Sequence, residues 1–220
     1  MKAFLASDGI GNNAEALTNL WSEDSRRIGL IGNAVNYEEP DIYDAFIAEQ
    51  EAMLRSLGFE PDVMDLRDHF DKPGTAERRI RDSYAGVYVT GGNTFILARG
   101  LAQSGLDGEA VRRLFEDQGG TRRVWAAYSA GACILGKNIE HIKGADDETQ
   151  VPALYQGEPV YKGLGMIAYE FVPHLDAPDQ HVLTERLDKA QRAYVTLHDG
   201  DIMTIDGDTI TTYGNVTFHD

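Results

Sequence analysis

The residues with the clearest capacity for chemistry lie in Val124-Trp125-Ala126-Ala127-Tyr128-Ser129-Ala130-Gly131-Ala132-Cys133. An apolar strand runs into a sharp turn at Ser129 and then into the start of a helix. Small residues surround the serine: Ala127, Ala130 and Gly131. This is the pattern of a nucleophile elbow, G-x-S-x-G, with Ala127 in place of the first glycine. The turn is tight, and larger side chains there would collide with the neighbouring strand or helix. It lifts the hydroxyl clear of the backbone and aims the next N–H, that of Ala130, at the place where an oxyanion forms in acyl transfer. A serine N-cap at an ordinary strand-to-helix turn fits the same residues, so partners elsewhere must decide.

A serine nucleophile needs a base and an acid that orients it. Among six histidines, His174 directly follows an apolar run and so sits at a strand end. His198, at the start of a turn, is the second choice. His69, His141, His181 and His219 lie in polar stretches and are expected at the surface. Asp146 and Asp147 fall in the polar loop between Ser129 and His174, and either suits the orienting role; Glu148 and Glu140 suit it less well. The pair Gly91-Gly92 ends another strand, where glycine lets an N–H turn inward as a second oxyanion donor. Asn93, next in line, is a candidate substrate contact. No G-x-x-x-x-G-K-[ST] or G-x-G-x-x-G phosphate cradle is present. The His174-to-His181 segment holds two histidines and two aspartates, but its spacing fits no standard ligand pattern, so no metal or other cofactor is expected. Cys133, one helical turn past Ser129, reads as small apolar filling.

The elements that must position these groups alternate strand and helix. Buried strands are expected at Lys2 to Ser7, Arg27 to Ala34, Asp62 to Leu66, Ala85 to Thr90 and Val124 to Tyr128. Helices are expected over Ala14 to Trp21, from Pro40 to a stop at Gly58, over Thr75 to Arg81, Phe95 to Ala102 and Gly108 to Gln118. In the second of these, Ile42, Phe46, Met53, Leu54 and Leu57 share one face. Residues Lys137 to Tyr161 are polar and aperiodic, as in a functional loop or lid. Leu164 to Val172 reads as a strand ending in Pro173-His174, and Pro178 to Arg192 as a helix with Asp179 in its first turn. Asp199-Gly200-Asp201 and Asp206-Gly207-Asp208 punctuate short C-terminal strands, as in antiparallel hairpins. The pattern predicts one α/β domain over residues 1–220, a doubly wound, mostly parallel sheet flanked by helices. Ligands bind such sheets at the carboxyl ends of the strands, where Gly91-Gly92 and Ser129 both fall.

The chain has 220 residues and a net charge of −16. That field repels nucleic acid and anionic membranes, so neither is an expected partner. One cysteine allows no internal disulfide, and no secretory leader is legible at the start, which together point to the cytoplasm.

Gly91-Gly92-Asn93-Thr94-Phe95, then Tyr128-Ser129-Ala130-Gly131-Ala132, then Gly163-Leu164-Gly165 leading to Pro173-His174, resembles the peptidase S51 family in order, spacing and length over essentially the whole chain. The resemblance implies a class I glutamine amidotransferase-like fold with serine in place of cysteine at the elbow. It implies a Ser-His-Asp/Glu triad: Ser129 as nucleophile, His174 as base, and Asp147 or Asp146 as acid, with Asp147 the better overlay. Gly92 and Ala130 match the oxyanion donors, and Arg186 stands near the position of an arginine that holds the substrate's aspartyl carboxylate. The expected activity is hydrolysis of dipeptides or small peptides, with Asp at the N-terminus. The alternatives are a cyanophycinase-like β-aspartyl-arginine hydrolase and a non-catalytic ligand-binding member of the fold. A small peptide is the expected partner, alongside a second copy of the chain in a homodimer.

Overall fold

The computed structural model describes residues 1–21, 26–116, 122–178 and 180–220. Gln118 and Asp179, assigned above to helices, lie outside these. Along the chain run β1 (Lys2–Ala6), α1 (Ala14–Thr18), β2 (Arg27–Ile31), α2 (Pro40–Ser56), β3 (Glu60–Val63), α3 (Thr75–Ser83), β4 (Gly86–Val89), α4 (Thr94–Ser104) and α5 (Gly108–Phe115). After them come β5 (Val124–Tyr128), α6 (Ala130–Cys133), β6 (Glu170–Val172), α7 (His181–Lys189), β7 (Tyr194–Thr196), β8 (Ile202–Asp206), β9 (Thr209–Tyr213) and β10 (Thr217–His219).

The main sheet has the order β3-β2-β4-β5-β1-β8-β9. Its first five strands are parallel, and β8 and β9 join antiparallel. Alternate residues of the central strands enter opposite cores, as a sheet covered on both faces requires. Ala3, Leu5, Trp125 and Ala127 pack with α3, α4, α5 and α6. Phe4, Ala6, Val124, Ala126 and Tyr128 pack with α1 and α2. The doubly wound architecture read from the alternation of elements is the one observed.

Differences gather where side-chain pattern and pairing disagree. On α2 burial falls on Ile47 and Leu54, while Ile42 stays exposed. The first helix stops at Thr18, and the third strand begins at Glu60 because Glu60 to Val63 finds the register with Arg27 to Leu30. Of the expected strand Leu164 to Val172, only Glu170–Val172 pairs, because the Leu164 and Met166 N–H groups turn instead to the carbonyls of Ile134 and Leu135. This β6 does not enter the main sheet. It forms a second, three-stranded sheet of order β10-β7-β6. Asp206-Gly207-Asp208 closes the β8–β9 hairpin as expected. Asp199-Gly200-Asp201, however, is no hairpin turn: it carries the chain from β7 in the small sheet to β8 in the large one. No helix among the described residues is long and apolar enough to cross a membrane.

His141 is buried where a 3-10 turn, Glu140–Ile142, packs on α7, and it is not at the surface as its polar neighbours suggested. Its Nε2 meets the Phe171 carbonyl at 3.3 Å, and its Nδ1 has no hydrogen-bond partner among the described residues. Burial pushes the imidazole down to about 4, from an ordinary 6.5. Above that ordinary value the ring is neutral folded and unfolded. Below it the unfolded chain takes up a proton that the folded chain refuses, so stability drops as pH falls toward the folded value. The expected loss across that window is up to about 3 kcal/mol. Urea midpoints measured against pH should show this fall in the wild type and a shallower one in His141→Gln; equal slopes would exclude His141 as the cause.

Candidate active site

At the end of β5 the chain turns at Ser129 with φ 47° and ψ −117°. A non-glycine residue holds such backbone at a cost of ~1–3 kcal/mol, so the surroundings must enforce it. The Ser129 N–H donates to the Ala6 carbonyl at 3.2 Å, tying the turn to β1. Its carbonyl accepts from the N–H groups of Ala132 and Cys133, each at 2.9 Å. The buried Trp125 indole donates to the Gly131 carbonyl at 3.1 Å and locks α6 onto the strand that feeds it. Gly131 is required there: a Cβ would sit 2.5 Å from the Val89 carbonyl oxygen. Cys133 is fully enclosed, burial holds its thiol well above the ordinary range, and its Sγ lies 3.5 Å from the Phe171 carbonyl. It is packing, as its position suggested.

β6 delivers His174, whose φ of 54° takes it out of the strand. Its Nε2 stands 3.0 Å from Ser129 Oγ and its Nδ1 2.6 Å from Asp199 Oδ1. A carboxylate only accepts, so Nδ1 carries the ring proton and Nε2 is left to accept from the serine hydroxyl. Ser129, His174 and Asp199 therefore form one continuous row. The expected pairing of Ser129 with His174 is present.

The carboxylate that meets His174 differs from the expectation. Asp147 is exposed, and its Oδ1 accepts from the Thr149 N–H and hydroxyl at 2.9 and 2.6 Å in a local turn that lowers its pKa. Asp146 lies near His174, but its Oδ2 is taken by the Thr94 N–H at 2.7 Å; burial raises its pKa. Neither carboxylate has a hydrogen bond to the imidazole. The reason lies in the second sheet: β6 and β7 run parallel, so the turn after β7 arrives beside the residue that follows β6. Asp199 lies 25 residues past His174, outside the segment between Ser129 and His174 that holds Asp146 and Asp147. The clue in the sequence was Asp199-Gly200-Asp201, which read as a plain turn.

Asn93 caps α4. Its Oδ1 accepts from Phe95 and Ile96 N–H, and its Nδ2 donates to the Asp147 carbonyl and Gln150 Oε1. That spends the side chain's capacity, so Asn93 holds the turn and the following loop and has nothing left for a substrate. The fully buried Arg99 adds bonds to the carbonyls of Glu148 and Gln150. The segment expected to form a lid is thus tied to α4. Gly91 lies against the elbow: a Cβ there would stand 3.1 Å from Ser129 Cβ. Gly91 also packs against the Tyr128 ring, and Gly92 follows with φ 131°. Ala130 N–H opens α6, where helix geometry gives it no intrahelical acceptor.

Arg186 is elsewhere. Its guanidinium donates to the His141 carbonyl at 2.8 Å and to the Lys143 carbonyl, and it lines a cavity of about 340 Å³ with Asn138, Lys143 and Arg192. Ser129, His174 and Asp199 are not in the walls of that cavity. The helix carrying Arg186 covers the loop after α6 and so directs the side chain into it. His198 makes its own pair, Nδ1 to Asp176 Oδ1 at 2.8 Å, which raises its pKa. Asp176 and His198 thus bind the same two turns that carry His174 and Asp199.

The fold is thus a doubly wound α/β sheet with Ser129 on a strained elbow at its carboxyl edge and an imidazole within hydrogen-bond distance. A model of peptidase family S51 matches residues 6–213, and the chain belongs to that family. It is similar to an uncharacterized peptidase of Listeria monocytogenes, 26% identical over 179 residues, covering 79% of this chain and 80% of that protein. An uncharacterized peptidase of Pasteurella multocida is 31% identical over 88 residues, 40% of this chain and 38% of the relative. Among solved structures, one from Listeria monocytogenes with a provisional peptidase E name superposes with a TM-score of 0.73 at 21% identity, covering 96% of this chain and 97% of its own. A peptidase from an acI-B1 Actinobacterium gives 0.69 at 16% identity, over 97% and 87%. These share the fold.

Steady-state peptide hydrolysis should separate Asp199 from Asp147. Asp199→Asn should cost kcat about 10⁴-fold, the size seen when a triad acid can no longer fix the imidazole tautomer. Asp147→Asn should stay within about twofold, as for an exposed charge outside the site. A large loss in Asp147→Asn with none in Asp199→Asn would restore the first reading.

Proposed function

We propose that this protein is a serine-type peptidase acting on dipeptides and other small peptides, with an N-terminal aspartyl residue as the preferred class. The observation that carries the reading is the unbroken row from Ser129 Oγ through His174 to Asp199, with contacts of 3.0 and 2.6 Å. Ser129 Oγ attacks the peptide carbonyl carbon as its proton passes to His174 Nε2. Asp199 holds the ring and balances the imidazolium. The oxyanion is met by the Ala130 N–H and by the Gly92 N–H at the facing strand end. Collapse of the tetrahedral intermediate expels the amine, which takes the proton from Nε2. Water then attacks the acyl-serine ester, His174 accepts its proton, and that proton returns to Ser129 as the acid product leaves.

The aspartyl preference is supported by the resemblance to S51 dipeptidases and by the peptidase E name of a solved neighbour. Arg186 does not read the aspartyl group in this proposal, since two backbone carbonyls engage its guanidinium.

A panel of Asp-X, X-Asp and β-aspartyl-arginine peptides, with and without a fluorophosphonate probe, tests both levels. Asp-X should be cleaved fastest, the probe should label Ser129, and Ser129→Ala should lose at least roughly a thousandfold in kcat. Near-wild-type turnover by Ser129→Ala would end the serine mechanism; preference for β-aspartyl-arginine would change the substrate class only.

A further inference from the structure

We infer that Ser7 is a fourth member of the catalytic row, a positioning residue that fixes His174 and Asp199 together. The inference rests on the serine-peptidase reading above. Ser7 follows β1 directly, at the carboxyl edge of the main sheet, and is wholly buried. Its N–H continues the pairing of β1 with β8 by donating to the Asp201 carbonyl at 3.1 Å, so its backbone is held by the main sheet. Its hydroxyl does two things at once. It accepts the His174 backbone N–H at 2.7 Å, and it donates to Asp199 Oδ1 at 3.1 Å. The Leu197 carbonyl lies at 3.5 Å, but a hydroxyl has one proton, and the shorter, charge-assisted partner takes it.

These bonds close a ring. The His174 main-chain N–H reaches Ser7 Oγ, the Ser7 proton reaches Asp199 Oδ1, and the same Oδ1 receives the proton on His174 Nδ1. Main chain and side chain of one histidine are thereby referred to a single point on the sheet.

Each end needs such a reference. His174 has left the strand with a φ of 54°, so its N–H has no ladder partner; Ser7 supplies the acceptor. Asp199 lies on a turn with its side chain 59% exposed, against 29% for His174. An exposed carboxylate is free to swing toward water, and a second donor on the oxygen that holds the imidazole opposes this. Ser7 therefore touches no substrate and no reacting atom; it acts through His174 and Asp199.

The test is a double-mutant cycle in kcat and KM, with thermal melting of every variant. Ser7→Ala should lower kcat roughly tenfold to a hundredfold, the loss expected for a hydrogen bond to a charged group, with KM within about twofold. In an Asp199→Asn background the same change should cost less than about threefold, because members of one unit are not additive. Ser7→Cys keeps the volume but donates weakly and should fall between wild type and Ser7→Ala. Wild-type kcat in Ser7→Ala, or equal fold-losses in the two backgrounds, would overturn the inference. A kcat loss that disappears on cooling in step with the melting temperature would also overturn it. Ser129→Ala, run beside them, reports separately on the peptidase reading: if it stays active that reading fails, whereas an inactive Ser129→Ala with a fully active Ser7→Ala removes only the role of Ser7.

Discussion

The 2.6 Å contact between His174 Nδ1 and Asp199 Oδ1 is where the two sheets meet in one function. Each partner sits on a turn outside regular structure. His174 leaves the small sheet after β6, and Asp199 leaves it after β7 on the way to the large sheet. A bond between them aligns Nε2 with a serine anchored only in the large sheet. Without it the imidazole has no reason to choose the tautomer that can take the Ser129 proton.

The rest of the architecture reads as support for that alignment. The parallel pairing of β6 with β7 brings the following turns side by side. The antiparallel pairing of β8 with β1 brings the same region over the start of the chain, close to Ser129, whose N–H is bonded to Ala6. The pair His198–Asp176 links the two turns a second time. On the other side of the serine, Asn93, Thr94 and Arg99 bind the segment from Asp146 to Gln150, so the wall beside the Gly91-Gly92 turn is fixed rather than loose.

The charge distribution is compatible with this division of labour. The chain carries −16 overall, yet Lys143, Arg186 and Arg192 are spent on structure: Arg186 on carbonyls, Lys143 beside Glu140 and over the Tyr161 ring, Arg192 near Glu170. Partly exposed ion pairs of this kind contribute little to stability; the Arg186 bonds to the His141 and Lys143 carbonyls are what tie the loop after α6 to α7.

The sequence by itself determined the central sheet, the elbow at Ser129 and its pairing with His174. Those are local facts: an apolar strand followed by small residues around a serine permits few other turns, and alternating strands and helices admit few topologies. Only the tertiary structure decided which carboxylate meets His174, how Asn93 and Arg186 are engaged, and what Ser7 touches. Asp199 and Ser7 are 192 residues apart, and what joins them is strand pairing in two different sheets, which no local pattern encodes. Asn93 and Arg186 had the right chemistry for a ligand, but whether a polar side chain is free depends on which backbone groups the fold leaves unpaired beside it. Here the cap of α4 and the carbonyls of His141 and Lys143 claimed both.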